Sequence, residues 1–157
     1  MSFEKVKSYL SEFDLQNRML EFEISSATVE LAAQAVGCEP AHIAKSLTFM
    51  VGEKPVMIVC AGDTKIDNSK YKSHFGEKAK MLKFEEVELL VGHAVGGVCP
   101  FAINENVDVY LDELLKRFDV IYPACGSSNS AIGLTLSELE NCAQNFKGYI
   151  DVCKVIE

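Results

Sequence analysis

The segment Val91-Gly92-His93-Ala94-Val95-Gly96-Gly97-Val98-Cys99-Pro100-Phe101 places three glycines and a proline within nine residues, between two apolar stretches. Glycine permits positive φ and allows the backbone to approach another group closely. Pro100 fixes its own φ and favours an extended conformation at Cys99. The pair Gly96-Gly97 followed by Pro100 therefore predicts a shaped loop whose backbone N–H groups face a ligand. The competing interpretation is a tight turn between two buried elements.

The overall composition is that of one globular domain. The chain has 157 residues, of which 48% are hydrophobic, which is enough to form a core. No apolar run is long enough to cross a bilayer, and Met1-Ser2-Phe3-Glu4-Lys5 lacks the apolar stretch of a signal peptide. We therefore expect a cytoplasmic protein that makes no membrane contact.

Cysteine and histidine usage argues against a structural metal site. The six cysteines have no CxxC spacing, none lies in a zinc-finger pattern with a histidine, and the chain has only three histidines. Most cysteines have apolar neighbours, so we expect reduced, buried thiols. Cys99 and His93 in the glycine loop suggest a nucleophilic pair, but the sequence shows neither a base within reach nor an electropositive setting.

The charge distribution limits which nucleic acids the protein can bind. The net charge of −8 argues against extensive non-specific binding to DNA or RNA, which requires many phosphate-neutralising lysines and arginines. Between Thr64 and Phe84, however, lysines far outnumber the two acidic residues, Asp67 and Glu77. These lysines are Lys65, Lys70, Lys72, Lys78, Lys80 and Lys83. They form either a solvated surface or a local basic strip on an acidic protein.

Local patterns predict an α+β domain. Apolar spacing favours a helix from Ser2 to Phe13. Lys45–Val51 and Val56–Ala61 are strand-like and predict a hairpin joined by a loop rather than by a two-residue turn. Ser137 and Glu140 have the spacing of a capping box. Helices and strands mix without a βαβ rhythm, so we expect a single domain with a mixed β-sheet flanked by helices.

Several segments together resemble one known family. They are Ser25-Ser26-Ala27-Thr28-Val29-Glu30, Ile43-Ala44-Lys45-Ser46-Leu47-Thr48-Phe49, Ala61-Gly62-Asp63, the loop from Gly92 to Pro100, and Gly126 followed by Leu134–Leu139. Their order and spacing resemble the YbaK/ProX family, the free-standing relatives of the editing domain inserted in bacterial prolyl-tRNA synthetases. The resemblance extends over nearly the whole chain, and its most specific motifs are the Lys-Ser-Leu strand and the GxxxGGxxP loop.

The resemblance implies hydrolysis of the ester that joins a wrong amino acid to tRNA, without a metal or cofactor. It also implies that Lys45 is central to activity, that Ser46 lines the pocket, and that Gly96 and Gly97 present N–H groups to the reacting carbonyl. Because an aminoacyl ester is already activated, stabilising the oxyanion makes a strong protein nucleophile unnecessary. The sequence has a histidine at 93 where others have Tyr, and a cysteine at 99 where many have Ser. The identity of the amino acid removed therefore stays open.

The resemblance also implies a set of binding residues. For substrate binding these are Thr28, Ser46, His93, Pro100, Gly126, Ser128 and Asn129, although a cap, core or turn role explains several of them as well. Weaker tRNA contacts are expected from Lys65, Lys70, Lys72 and Lys80. The expected substrate is a mischarged tRNA(Pro), or a similar tRNA, that carries a small amino acid such as Ala, Cys or Ser. We expect the protein to be a monomer or a weak dimer and to bind the acceptor end of this tRNA.

Two other functions fit the same residues. The chain could bind charged tRNA as a non-catalytic module, or it could depend on an aminoacyl-tRNA synthetase partner for its tRNA affinity. The net charge of −8 favours the second alternative, because an acidic protein attracts tRNA poorly. Deacylation assays with misacylated tRNA, with and without added synthetase, distinguish these possibilities.

Overall fold

The computed structural model describes residues 2–156. Its α-helices are α1 (Ser2–Ser11), α2 (Val29–Val36), α3 (Asn68–Phe75), α4 (Phe84–Val91) and α5 (Leu136–Cys142). Its strands are β1 (Met19–Glu21), β2 (Ile43–Val51), β3 (Lys54–Ala61), β4 (Thr64–Ile66), β5 (Asp108–Asp112), β6 (Val120–Pro123), β7 (Ser130–Ile132), β8 (Leu134–Thr135), β9 (Phe146–Ile150) and β10 (Cys153–Val155). Short 3₁₀ turns lie at Gln16–Arg18, Pro40–His42 and Glu113–Arg117.

A six-stranded mixed sheet in the order β8-β6-β2-β3-β5-β9 forms the centre of the domain. β2 and β3 form an antiparallel hairpin, β6 lies parallel to β2, β5 lies parallel to β3, and β9 lies parallel to β5. Two small antiparallel pairs, β1 with β7 and β4 with β10, form separate two-stranded sheets. The arrangement confirms the predicted α+β domain with a mixed sheet.

Alternating side chains of β3 contribute to a core on each face of the sheet. Met57 and Val59 pack into the larger core, together with apolar residues of α1, α4, α5 and the glycine loop. Ile58 and Cys60 pack into a smaller core that includes Tyr71 of α3. Because β2 and β5 cover both edges of β3, this strand is buried on all sides and anchors the hairpin that carries β2.

The hairpin of β2 and β3 differs from the predicted longer loop. Val51 pairs with Lys54, so Gly52 and Glu53 alone form the turn, and Gly52 has a φ of +61°. Positive φ is what two-residue hairpins need if their twist is to match that of the strands. The prediction was wrong because it assigned Pro55 to the turn. Pro55 is instead the second residue of β3 and precedes the point at which β5 joins β3.

The last helix begins earlier than predicted. Thr135, and not Ser137, caps α5: its hydroxyl accepts a hydrogen bond from the Glu138 N–H at 3.2 Å, and the Glu138 carboxylate accepts one from the Thr135 N–H at 2.9 Å. The same carboxylate accepts two hydrogen bonds from Arg18, of 2.5 and 2.9 Å. The hydrogen bonds from Arg18 are the main reason why the pKa of Glu138 is lowered to about 2. This ion pair joins the start of α5 to the segment that precedes β1.

The cysteines are in the state that their apolar sequence neighbours predict. All six cysteines are free, and all except Cys38 are buried, as predicted. Within residues 2–156, no helix combines the length and apolar character that a membrane span requires.

Candidate active site

A gap in the sheet beside β2 creates the candidate site. Along one edge, β2 pairs with β3 over almost its whole length. Along the other edge it pairs with β6 only at Ile43 and Ala44, and Phe49 forms one further pairing with Met81. Between these points, residues 45–47 have no strand paired with this second edge in the described part of the chain, and a cavity borders this open edge.

The cavity has a volume of about 430 Å³ and mostly apolar walls. Its walls come from the starts of α2 and α4, the open edge of β2, the glycine loop, β6 and β7. Its apolar wall residues include Val29, Ile43, Leu82, Val87, Val98 and Tyr122. Among the described residues that line it, none is a histidine, cysteine, aspartate or glutamate. Lys45 is the one basic residue among the described residues that line the cavity.

Lys45 lies on β2 where the second edge of this strand is unpaired, and it lines the cavity. Its ammonium group donates a hydrogen bond to the main-chain carbonyl of Thr64. The pKa of nearby Asp63 is lowered mainly by its hydrogen bonds to Arg117 and, to a smaller extent, by the charge of Lys45. Because a lysine ammonium has three donors, the bond to Thr64 leaves two of them for a ligand.

Ser46 follows Lys45 on the same strand and also lines the cavity. Successive side chains of a strand point to opposite faces, so Ser46 shares its face with Ala44 and Thr48 and not with Lys45. The Ser46 hydroxyl oxygen is buried and has no hydrogen-bond partner among the described residues. Buried polar groups are normally bonded, so this unpaired hydroxyl is a candidate partner for a ligand that fills the adjoining cavity.

The glycine loop places Gly96 in the cavity wall and Gly97 behind it. Gly96 has a φ of +100°, and no hydrogen bond of its N–H is found within residues 2–156. Gly97 is buried, and its N–H donates to the Ala94 carbonyl at 3.1 Å. A Cβ on Gly97 would lie 2.5 Å from the carbonyl carbon of Gly126. The N–H of Gly96 is therefore unbonded within the described chain, next to the cavity. The N–H of Gly97 is bonded within the turn, and its lack of a side chain lets the loop pack closely against segment 126–127.

The segment 126–129 supports the site from outside the cavity. The Ser128 carbonyl accepts a hydrogen bond from the Ser26 N–H at 2.6 Å, and the Asn129 side-chain amide donates to the Phe22 carbonyl at 2.8 Å. These bonds hold the start of α2 in place, where Thr28 lines the cavity and its hydroxyl accepts the Leu31 N–H as the helix cap.

His93, Cys99 and Pro100 are buried in the core behind the loop. The Nε2–H of His93 donates to the Phe101 carbonyl at 2.6 Å, and burial lowers the pKa of the imidazole. The Cys99 sulfur lies 3.5 Å from His93 Nε2, and burial raises the pKa of this thiol to about 12. Neither side chain borders the cavity.

The predicted lysines lie in different surroundings. Lys65 is exposed on β4, and the ammonium of Lys70 lies 3.0 Å from the Asp151 carboxylate. Lys72 lines a separate recess next to the start of α3. Lys80 is exposed next to Met81, which lines the main cavity. Of these four, Lys80 is thus nearest in the chain to the mouth of the cavity.

The structure brings together some of the predicted site residues and not others. The cavity is lined by Thr28, Lys45, Ser46 and Gly96. The predicted residues that do not line it are Gly97, His93, Pro100, Gly126, Ser128 and Asn129. Sequence reasoning also missed the apolar walls, such as Phe84 and Tyr122, because the apolar residues of a pocket and of a core have the same spacing in the chain.

Among residues 2–156, no group of three or more histidine, cysteine, aspartate or glutamate side chains is arranged to hold a metal ion. The polar residues that line the cavity are instead Lys45, Gly96 and a set of hydroxyl side chains: Ser26, Thr28, Ser46, Thr48, Ser130 and Tyr122. Such a set suits a ligand that carries carbonyl, hydroxyl or phosphate oxygens.

Comparisons with known proteins agree with this geometry. Residues 25–142 match the family model described as the aminoacyl-tRNA editing domain. The uncharacterised protein YwhH of Bacillus subtilis is 49% identical over 155 residues, which cover 98% of each chain. EbsC of Enterococcus faecalis, named as a candidate Cys-tRNA(Pro)/Cys-tRNA(Cys) deacylase, is 29% identical over 110 residues, which cover 68% of this chain and 66% of that protein.

A solved structure extends the likeness to the whole fold. The crystal structure of a candidate trans-editing enzyme for prolyl-tRNA synthetase matches with a TM-score of 0.86 and 28% identity, over 98% of this chain and 97% of that one. This chain thus shares its whole fold with that candidate trans-editing enzyme. The chain belongs to the family of aminoacyl-tRNA editing domains, as the resemblance in its sequence indicated.

Proposed function

We propose that this protein hydrolyses, in trans, the ester bond of misacylated aminoacyl-tRNA. The observation that supports this most is the cavity beside β2, where Lys45, Ser46 and Gly96 line one space in a chain of the editing-domain family. The names of two similar proteins agree with the proposal, since one is a candidate Cys-tRNA deacylase and the other a candidate trans-editing enzyme.

In the proposed reaction, water attacks the ester carbonyl carbon, and the bond to the ribose oxygen breaks. The products are the free amino acid and a tRNA whose terminal hydroxyl has regained a proton. Negative charge develops on the carbonyl oxygen before the bond breaks, and we assign its stabilisation to the N–H of Gly96. Lys45 either adds to this stabilisation or holds the terminal ribose or phosphate. The loss of one such donor typically costs about 10²–10³ in turnover.

The walls of the cavity favour a small, uncharged amino acid. They are mostly apolar, and among the described residues no carboxylate is present to neutralise a basic side chain. The free hydroxyl of Ser46 can bond the α-ammonium of the amino acid, or a hydroxyl or thiol on its side chain. These features are consistent with Ala, Cys or Ser on tRNA(Pro) or on a similar tRNA.

Deacylation of a panel of charged tRNAs tests the proposal. The protein is incubated with tRNA(Pro) that carries Ala, Cys or Ser, and tRNA(Pro) that carries proline is the correctly charged control. We expect faster hydrolysis of at least one mischarged substrate than of the control. Lys45→Ala should lower turnover by at least about 100-fold. Lys54→Ala is the matched control, because Lys54 belongs to the same hairpin but pairs with Asp108.

The outcomes separate the possible roles. If the wild-type protein hydrolyses none of the mischarged substrates, with or without added prolyl-tRNA synthetase, the enzyme proposal fails and a binding module is left. Hydrolysis only in the presence of the synthetase would assign the tRNA affinity to that partner. If a folded Lys45→Ala variant turns over at nearly the wild-type rate, the role given to Lys45 is wrong.

A further inference from the structure

Three exposed apolar side chains surround the mouth of the cavity. Met81, Phe84 and Val95 all line it, yet they are 57%, 77% and 50% exposed. Single exposed apolar residues are common, but several that border one pocket mark a surface that a ligand covers.

The ring of Phe84 is held out from the protein at a rigid position. Phe84 is the first residue of α4, and the start of this helix is fixed because the Glu86 carboxylate accepts the Lys83 N–H at 2.9 Å. No aromatic ring of the described chain stacks on Phe84. One face of an aromatic ring at the mouth of the cavity is therefore open to a flat partner.

We propose that Phe84 is the stacking platform for the terminal base of the tRNA acceptor end. This inference rests on the proposed function, because an aminoacyl ester bound beside Lys45 places its ribose and base toward the mouth of the same cavity. Stacking of a base on an aromatic side chain is favourable and tolerates any base. Lys80 and Lys83 are exposed, flank Met81 in the chain and form no ion pair within residues 2–156. They are therefore positioned to meet the phosphates next to that base.

Binding of short analogues tests this role without requiring hydrolysis. The probe is a fluorescent CCA trinucleotide with a stable 3′-alanylamide, and its partner is the same molecule with an abasic terminal ribose. Phe84→Ala should weaken binding of the complete analogue by about 5- to 150-fold, and should change binding of the abasic analogue by less than twofold. Phe84→Tyr keeps the ring and should bind like the wild type.

Leu89→Ala is the matched control for lost apolar surface. Leu89 lies on the same helix and is also 77% exposed, but it does not line the cavity. Its replacement should leave the binding of both analogues unchanged. With hydrolysable aminoacyl-tRNA, Phe84→Ala should raise KM and leave kcat nearly unchanged, because stacking on the base binds the substrate and transition state equally.

Each outcome decides the proposal. If Phe84→Ala weakens the binding of both analogues equally, or of neither, the ring does not stack on the base and the proposal fails. The apolar mouth of the cavity then serves another purpose, such as contact with a protein. Failure of the wild-type protein to bind the complete analogue also overturns it. If the expected binding pattern is found but no ester is hydrolysed, the stacking role stands and the proposed hydrolysis alone fails.

Discussion

The hydroxyl of Ser46 offers a test in which stability and activity change in opposite directions. It is buried in the cavity wall and has no hydrogen-bond partner among the described residues. Ser130 provides a matched control, since it lines the same cavity and its hydroxyl accepts a hydrogen bond from the Ser127 hydroxyl at 2.7 Å. Replacement of either serine by alanine removes one oxygen atom from the same wall, but only Ser130→Ala breaks a bond within the protein.

The expected changes follow from the cost of unpaired polar groups. A buried group without a partner costs about 1–3 kcal/mol, so Ser46→Ala should raise the free energy of unfolding by about 1 kcal/mol. For a chain of this size, that corresponds to about 2–4 °C in Tm. Ser130→Ala should instead lower the free energy of unfolding by about 0.5–1.5 kcal/mol, the net contribution of one hydrogen bond.

The activity should follow the opposite order. If the Ser46 hydroxyl bonds the aminoacyl group, Ser46→Ala should reduce kcat/KM for deacylation by about 2- to 12-fold, the equivalent of one neutral hydrogen bond. The measurements are thermal melts and deacylation of the best mischarged tRNA, with Ser130→Ala assayed in parallel. A Ser46→Ala variant that is less stable and fully active would refute the reasoning, because the hydroxyl would then have a structural partner.

Three further predictions concern the loop, an ion pair and the lysines. Gly97→Ala should lower the free energy of unfolding by about 1–3 kcal/mol, because the added Cβ would lie 2.5 Å from the main chain of segment 126–127. Thermal melts measure this loss, and single-turnover deacylation should show that the folded fraction of the variant is also less active than the wild type. The ion pair with Arg18 lowers the pKa of Glu138 from the ordinary 4.5 to about 2, and solvent screens this pair because Glu138 is only slightly buried. Its ion pair should thus contribute about 1 kcal/mol above pH 4.5 that is lost as the pH falls toward 2, and acid titration of Glu138→Gln should lack this loss. Replacing Lys72 and Lys80 by alanine should reduce the salt slope of tRNA binding by about one unit per lost phosphate contact, and an unchanged slope would assign them to solubility.

The fold was predictable where short-range rules decide it. Gly37, which follows α2, has a φ of +86° and ends that helix as its position in the sequence suggests. Asp67 caps α3 because its carboxylate accepts two backbone N–H groups. The apolar runs that became β2 and β3 predicted a hairpin, since few other arrangements bury two such runs so close in the chain.

The site was predictable only in part, because long-range packing decides which residues border the cavity. The sequence does not reveal that β6 leaves β2 after Ala44, and this departure opens the edge of β2 at residues 45–47. It likewise does not show that Gly97 donates its N–H to Ala94, or that His93 points into the core and not into the cavity. A glycine or histidine in a loop motif looks the same in the sequence whether it contacts a ligand or supports the loop.

The side chains of the cavity suggest how an editing reaction can proceed with few catalytic groups. The buried thiol of Cys99 has a pKa raised to about 12 and lies behind the loop, so it is a poor nucleophile toward an ester in the cavity. Among the described residues, the cavity walls contain no histidine or carboxylate to act as a general base. Since an aminoacyl ester is already activated, we infer that the reaction depends on how water and the carbonyl are placed. Gly96 and Lys45 would then determine the rate through the charge they stabilise, and discrimination between amino acids would come from the apolar walls around them.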